Sequence, residues 1–294
     1  MKRLALLIGS PSTKEKEDFL SGVATDIENI NNFLLSSIGG SWERNEIKIF
    51  KPNPKYSEVE PFLKACENVD FAFIYFSGHG YTGKDNKARV LFNPNEAPYV
   101  IKQLANRANH QVTIIDACRS IPELIGFDGN VLLEGINFPN LKPEFTKAVM
   151  ANYIAKLPNT RTLLFATSKG KNSVDLGSNY GGLFSTSLLS VVIDKLKSEN
   201  KPIFKVVDIF KTAKINTQKI QSNQIPQIYY SDKNSEHLPF AINPYYNPPL
   251  INKKKQELQK TNNTLIESIT KGTLIGGSIL LAGYVIGSLL NKKE

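Results

Sequence analysis

Two short apolar runs, each ending in a polar and reactive tip, set the strongest limit on how this chain can fold. Phe71-Ala72-Phe73-Ile74-Tyr75-Phe76 leads straight into Ser77-Gly78-His79-Gly80. Val112-Thr113-Ile114-Ile115 leads straight into Asp116-Ala117-Cys118-Arg119-Ser120. Unbroken runs of aromatic and β-branched residues, bounded by turn signals, read as strands buried on both faces of a parallel sheet. Open sheets of that kind carry their chemistry at the carboxyl ends of the strands. One tip therefore offers a histidine and the other a cysteine, a base and a nucleophile.

The rest of the chain alternates between the same two patterns. Strands are expected at residues 4–8, 46–50 and 162–167, and at 225–230 as a closing edge. Helical spacing covers 19–38, where Gly39-Gly40 stops it, and 97–109, 144–156, 183–196 and 204–220. Ser57 and Glu60 have the spacing of a capping box for a helix reaching residue 67. Residues 119–141 read as loop. This alternation predicts an α/β fold, a mostly parallel sheet flanked by helices on both faces.

At residue 243 the character changes. Pro244, Pro248 and Pro249 break regular structure, Lys253-Lys254-Lys255 opens a polar stretch to Lys271, and residues 272–290 then run for 19 positions without a charge. The hydrocarbon core of a bilayer needs ~20 apolar residues as a helix. The expected organisation is a folded domain over 1–243, a polar linker over 244–271, a single membrane helix over 272–290 and a short polar tail over 291–294. Gly272/Gly276 and Gly283/Gly287 have the small-xxx-small spacing that lets membrane helices pack closely, so a homo-oligomer through this helix is one expectation. The N-terminal Met1-Lys2-Arg3-Leu4-Ala5-Leu6-Leu7-Ile8 superficially resembles a signal peptide, but Pro11 and a charged run from Lys14 to Asp18 make a first strand the better reading. With no leader, the domain is expected on the cytoplasmic side of a C-terminal single-pass anchor. Lys253–Lys255 and Lys271 agree with that orientation, although Lys292 and Lys293 put charge on the far flank too.

Charge and cysteine usage exclude other classes. Of the formal charge of +9, the tail from Pro244 holds +4, leaving +5 for the larger part. No run of arginines and aromatics forms a nucleic-acid platform. Two cysteines, Cys66 and Cys118, are too few for a disulfide framework. With His79, His110 and His237 they show no metal-ligand spacing, and no metal or other cofactor is expected. The chemistry that remains is nucleophilic. A thiolate is the attacking form of cysteine, and a nearby imidazole removes its proton. The backbone N–H groups of Gly80 and Cys118 are the expected donors to a developing oxyanion.

Ser77-Gly78-His79-Gly80 and Asp116-Ala117-Cys118-Arg119 resemble the two catalytic motifs of the caspase-like cysteine peptidases, especially the metacaspase and bacterial branches. Aspartate replaces the glutamine of the caspase motif, and His79 lies 39 residues upstream of Cys118. Residues 20–26, 166–175, 182–189 and Gln224-Ile225-Pro226-Gln227 resemble further landmarks of the family, so the likeness covers residues 3–242. It implies a cysteine endopeptidase with a Cys118–His79 dyad. It also implies a primary specificity pocket built by Asp116, Ser173 and Asp175. Carboxylates there would attract arginine or lysine and repel aspartate. The bland alternatives are that Asp116 braces a strand-to-loop turn and that Asp175 is a solvated loop charge. Asp18 and Asp26 are weaker pocket candidates, Asp26 reading better as a buried hydrogen-bonding residue.

The resemblance leaves calcium activation open. It places Lys142, Lys147, Lys156 and Arg161 where relatives carry a linker cut on activation, against the alternative of an uncut helix. A protease tethered by one helix implies protein substrates, a bilayer, and a sensor or activator protein as partners; an effector of bacterial immunity or regulated cell death fits that pattern. Two other classes stay open: a pseudoprotease scaffold, and a membrane-disrupting effector whose C-terminal helix is the active element.

Overall fold

The computed structural model of the protein describes residues 1–12, 19–118, 138–232 and 237–247. In chain order it contains strand β1 (Arg3–Ser10), helix α1 (Val23–Leu35), β2 (Ile47–Phe50), α2 (Tyr56–Ala65) and β3 (Phe71–Gly78). A short excursion follows, β4 (Gly80–Thr82), β5 (Ala88–Val90), β6 (Tyr99–Val100) and the one-turn helix α3 (Ile101–Leu104). Then come β7 (His110–Asp116), α4 (Pro143–Ile154), β8 (Thr160–Phe165), α5 (Leu183–Ser198), β9 (Ile203–Lys205), α6 (Val206–Ile220), β10 (Gln227–Tyr230) and β11 (Pro239–Ile242). Six strands form the central sheet in the order β10-β8-β7-β3-β1-β2. All neighbours pair parallel except β10, which closes one edge antiparallel to β8.

Side chains alternate across this sheet because successive residues of a strand point to opposite faces. Ala5, Leu7, Phe71, Phe73, Tyr75, Val112 and Ile114 join one buried cluster with α1, α4, α5 and α6. Leu4, Leu6, Ile8, Ala72, Ile74, Phe76 and Ile115 join a second with α2 and α3. Both faces are therefore covered, and the strands read as continuous apolar runs for that reason. The alternation also sets the polar ends: Ser77 and Asp116, directly opposite each other in register, continue the α1/α5 face of Tyr75 and Ile114.

Several expected elements take other forms. The helix expected over 97–109 shrinks to β6 and α3. Gln111 stops it: its Oε1 accepts from the N–H groups of Arg107 (2.9 Å) and Ala108 (3.0 Å), and its Nε2 donates to the Leu104 carbonyl (2.6 Å). These groups would otherwise extend the helix. Tyr99 meanwhile stacks on Phe92 and Tyr56 at 5.2 and 5.1 Å. Phe204 lies in β9 rather than a helix because it pairs with Ala241 of β11, a strand absent from the sequence reading. The first helix ends at Leu35, where the Ser36 hydroxyl accepts from Gly39 N–H. The N-terminus of α2 is fixed by Glu58, which accepts from Lys55 N–H at 2.7 Å, two residues before the expected box.

Of the candidate self-cleavage points, Lys147 lies within α4 and is ion-paired to Glu43 at 2.9 Å, and Arg161 lies within β8, so neither is in an open loop. Residues 119–137 lie outside the described residues. The fold forms one compact unit over Met1–Tyr246. Among the described residues no helix is long and apolar enough to cross a membrane; the segment read as a membrane helix, 272–290, lies outside them, as does Asp18.

Candidate active site

The site is assembled from the carboxyl ends of four adjacent strands. Ser10 pairs with Gly78 and Ser77 with Asp116, so the residues just beyond β1, β3 and β7 emerge side by side: Pro11, His79 and Cys118. His79 is the middle one. It is buried, 8% exposed, and its Nε2 donates to the Pro11 carbonyl at 3.1 Å. A carbonyl only accepts, so in the neutral ring Nε2 carries the proton and Nδ1 is the basic nitrogen. On the other side of Cys118 the loop after β8 returns to it. Ser173 N–H donates to Cys118 Sγ at 3.4 Å, and the thiol donates to the Ser173 carbonyl at 3.5 Å.

Gly80 closes against the cysteine strand. A Cβ there would lie 2.9 Å from the Arg89 carbonyl, 3.0 Å from Ala117 Cβ and 3.2 Å from the Cys118 carbonyl. Only glycine admits that approach. The His79 carbonyl accepts from Leu91 N–H at 3.0 Å, beside β5. Because a peptide unit is planar and trans, the Gly80 N–H points the opposite way, out of the hairpin.

Beside Cys118 opens a small, shallow cleft whose wall includes Cys118, Asp116, Asp26, Asp175, Ser173 and Ser77. None of the described residues lining it is basic. Asp116 is buried at its floor. Its Oδ1 accepts from Ser173 Oγ (2.7 Å) and its Oδ2 from the Ser185 hydroxyl (2.7 Å) and N–H (3.1 Å). Tyr75 OH backs Ser185 at 2.7 Å. Asp26, from the buried stripe of α1, accepts from Ser77 Oγ (2.7 Å) and Gly182 N–H (2.8 Å). Asp175 is half-buried and accepts from Gly22 N–H (3.1 Å) and Gly177 N–H (2.9 Å). Gln224 pins the loop from behind, accepting from Val174 N–H at 2.9 Å and donating to the Ala166 carbonyl and Ser173 Oγ, both at 3.2 Å.

The electrostatics follow from this packing. Burial pushes the carboxyls of Asp26 and Asp116 up from the usual range, and like charge adds to it, from Asp116 on Asp26 and from Asp175 on Asp116. The hydroxyl and N–H donors pull both part of the way back. Burial likewise pushes the Cys118 thiol up, the Ser173 N–H offsets part of that, and the Asp116 charge pushes further. These effects favour the protonated thiol at Cys118, beside a wall whose described charges are carboxylates.

The predicted residues divide as follows. Cys118, Asp116, Ser173 and Asp175 line one cleft, while His79 and Gly80 are not among its lining residues. Asp116 and Asp175 hold loop and turn groups, as the bland reading of each has it, and both also face the cleft. The glycines on either side of His79 are required by packing inside the protein: a side chain at Gly78 would collide with the Ser10 carbonyl. Asp26 is the buried hydrogen-bonding residue its sequence reading expected, and it also lines the cleft, as does Ser77, which the sequence reading did not single out; the signal for Asp26 was a carboxylate inside an apolar helical stripe, at Val23, Asp26, Ile27 and Ile30. The Pro11 carbonyl is a main-chain group and leaves no signal in side-chain chemistry.

Residues 2–236 match the caspase-domain model of peptidase family C14. A "probable protease" of a Desulfuromonadales bacterium is 25% identical over 224 residues, 65% of this chain and 26% of that protein. The chain thus spans about a quarter of the length of this curated relative. The crystal structure of caspase-1 from Spodoptera frugiperda aligns with 78% of this chain and 86% of its own at 13% identity, with a TM-score of 0.49. Since the family match runs through β1, β3, β7, β8 and β10 and takes in both reactive strand ends, the chain belongs to the caspase-domain family of cysteine peptidases.

Proposed function

We propose that the chain is a membrane-anchored endopeptidase that cuts after arginine or lysine, with Cys118 as nucleophile and His79 as acid/base. The observation that carries the specificity is the cleft itself: three carboxylates, Asp26, Asp116 and Asp175, share its wall with the thiol, and none of the described residues beside them there is basic. Buried carboxylates without a cation are costly, and a guanidinium or ammonium supplies the missing charge with hydrogen bonds.

With a basic side chain in the cleft, the scissile carbonyl comes to lie beside Cys118 Sγ. His79 Nδ1 takes the thiol proton as sulfur attacks, and the oxygen becomes an oxyanion facing the N–H groups of Gly80 and Cys118. The imidazolium, held by the Pro11 carbonyl, gives its proton to the leaving amine. Water, deprotonated by the same ring, then cleaves the thioester and restores the thiol. Thiol, imidazole and water account for every proton.

A peptide panel that differs only at the residue before the scissile bond tests this. Arginine and lysine peptides should be cut at least 100-fold faster than the aspartate peptide, the scale expected when a charge is placed against buried carboxylates rather than with them. Cys118→Ala should abolish cleavage. Faster cleavage after aspartate would refute the specificity, and cleavage by Cys118→Ala would refute the nucleophile.

A further inference from the structure

The two loops that adjoin the reactive pair carry a cluster of basic residues. Strand β4 starts at Gly80, directly after His79, and leads to a hairpin tip carrying Lys84, Lys87 and Arg89 against the single Asp85. The loop that follows β8 carries Lys169 and Lys171 before returning to Cys118 through Ser173. These two arms are joined: Lys169 Nζ donates to Asn86 Oδ1 at the hairpin tip. Asp85 is occupied by Arg89, which grips both of its oxygens at 2.7 Å, with Lys87 at 3.9 Å. Lys84, Lys87, Lys169 and Lys171 are all exposed. A basic rim of two bridged arms thus stands beside a cleft whose described lining residues have only carboxylates for charge.

Which part of a substrate meets that rim follows from the chemistry proposed above, on which this inference rests. His79 must hand its proton to the leaving amine, so the chain on the leaving side passes His79 and continues along β4. Three strand residues at about 3.3 Å each put the tip about 10 Å beyond the histidine. That is the reach of the second to fourth residues after the scissile bond. We propose that the rim selects acidic residues there: the preferred substrate has a basic residue before the scissile bond and an acidic segment a few residues after it. Such a segment is attracted to the rim and repelled from the cleft, so charge also fixes which way round the peptide lies.

The test uses internally quenched peptides with arginine before the scissile bond and glutamate, alanine or lysine at the second and third positions after it. The full-length protein should rank them glutamate over alanine over lysine in kcat/KM. An exposed ion pair shifts an equilibrium about 1.5- to 5-fold, so the glutamate-to-lysine ratio should be about tenfold. The ratio should collapse in high salt, as the screening length falls from about 10 Å at 0.1 M to about 3 Å at 1 M. Combining Lys84→Glu, Lys87→Glu, Lys169→Glu and Lys171→Glu should reverse the ranking. The same peptides, labelled, are also bound to Cys118→Ala protein and followed by fluorescence anisotropy. Loss of all cleavage would then refute the proposed catalysis while binding still reads the rim. Equal affinity for glutamate and lysine peptides, or a glutamate preference that survives charge reversal, overturns the proposal.

Discussion

Cys118 and Cys66 carry one functional group in two settings, and the contrast makes a prediction at the scale of a single residue. Cys66 is fully buried on the α2 face and its thiol is pushed up to about 12, chiefly by burial. Cys118 is only partly buried, opens on the cleft, and is raised as well. Raising a thiol moves its thiolate to higher pH. Alkylation of Cys118 by iodoacetamide should therefore keep accelerating above pH about 8.5, the ordinary thiol value. Cys66 should stay unlabelled in the folded protein. Peptide mass mapping against pH checks both; a Cys118 rate already flat below neutral pH would mean a preformed thiolate. The pocket carboxylates titrate in the same sense. Asp26 and Asp116 are raised, so on acidification they take up protons earlier than ordinary aspartates, near pH 3.9, would. KM for an arginine peptide should climb as pH falls toward that range, and Asp26→Asn should raise KM and flatten the climb. An unchanged KM in Asp26→Asn would remove Asp26 from the pocket. His79 and Cys118 were legible in the sequence because each is a reactive side chain at the end of an apolar run. Asp26 was less so, since its neighbours in space, Ser77 and Gly182, lie 51 and 156 residues away.

Elements divide by what fixes them. β1, β3, β7 and β8 were legible because burial on both faces writes a continuous apolar run. β4, β5, β6, β9 and β11 have two to four residues each, too short for periodicity to register, and β9 and β11 also depend on partners far along the chain, Phe204 with Ala241. Polar side chains acting on backbone account for the rest, as Gln111 does at the end of α3. Arg3 is a further case. In sequence it is a charge at the edge of a strand; in the fold it is 8% exposed and clamps β1 to the turn after α1. Its guanidinium forks onto Glu46 at 3.0 and 2.6 Å, donates to the carbonyls of Gly40 (2.8 Å) and Ser41 (3.2 Å), and lies 4.5 Å from the centre of the Trp42 ring. Arg3→Ala would strand a mostly buried carboxylate and two carbonyls, a loss of about 3 kcal/mol. For a domain of this size that lowers Tm by about 6–12 °C, while Lys2→Ala should stay within about 0.5 kcal/mol of the parent. Calorimetry of both variants checks the clamp; equal Tm values would show that Arg3 contributes no more than a surface charge.

At the scale of the whole molecule the question is what the chain beyond the folded unit does for a peptidase. Residues 272–290 hold 19 uncharged positions. As a helix at 1.5 Å per residue they extend for about 28 Å, close to the roughly 30 Å hydrocarbon core. Lys271 on one side and Lys292 and Lys293 on the other would sit at the two headgroup layers. The proposed anchor and the folded unit are separated in sequence by 28 residues, 244–271. The full-length protein should sediment with membranes, resist high salt and alkaline carbonate, and be released by detergent. A chain stopped after Asn247 keeps the compact unit, and should stay in the supernatant with its cleavage of arginine peptides unchanged. Leu281→Arg, at the centre of the span, costs about 3 kcal/mol of insertion and should shift protein to the supernatant. Full-length protein that washes off in salt would reduce the segment to a peripheral contact, and a truncated chain that still sediments would move the membrane attachment onto the peptidase domain itself.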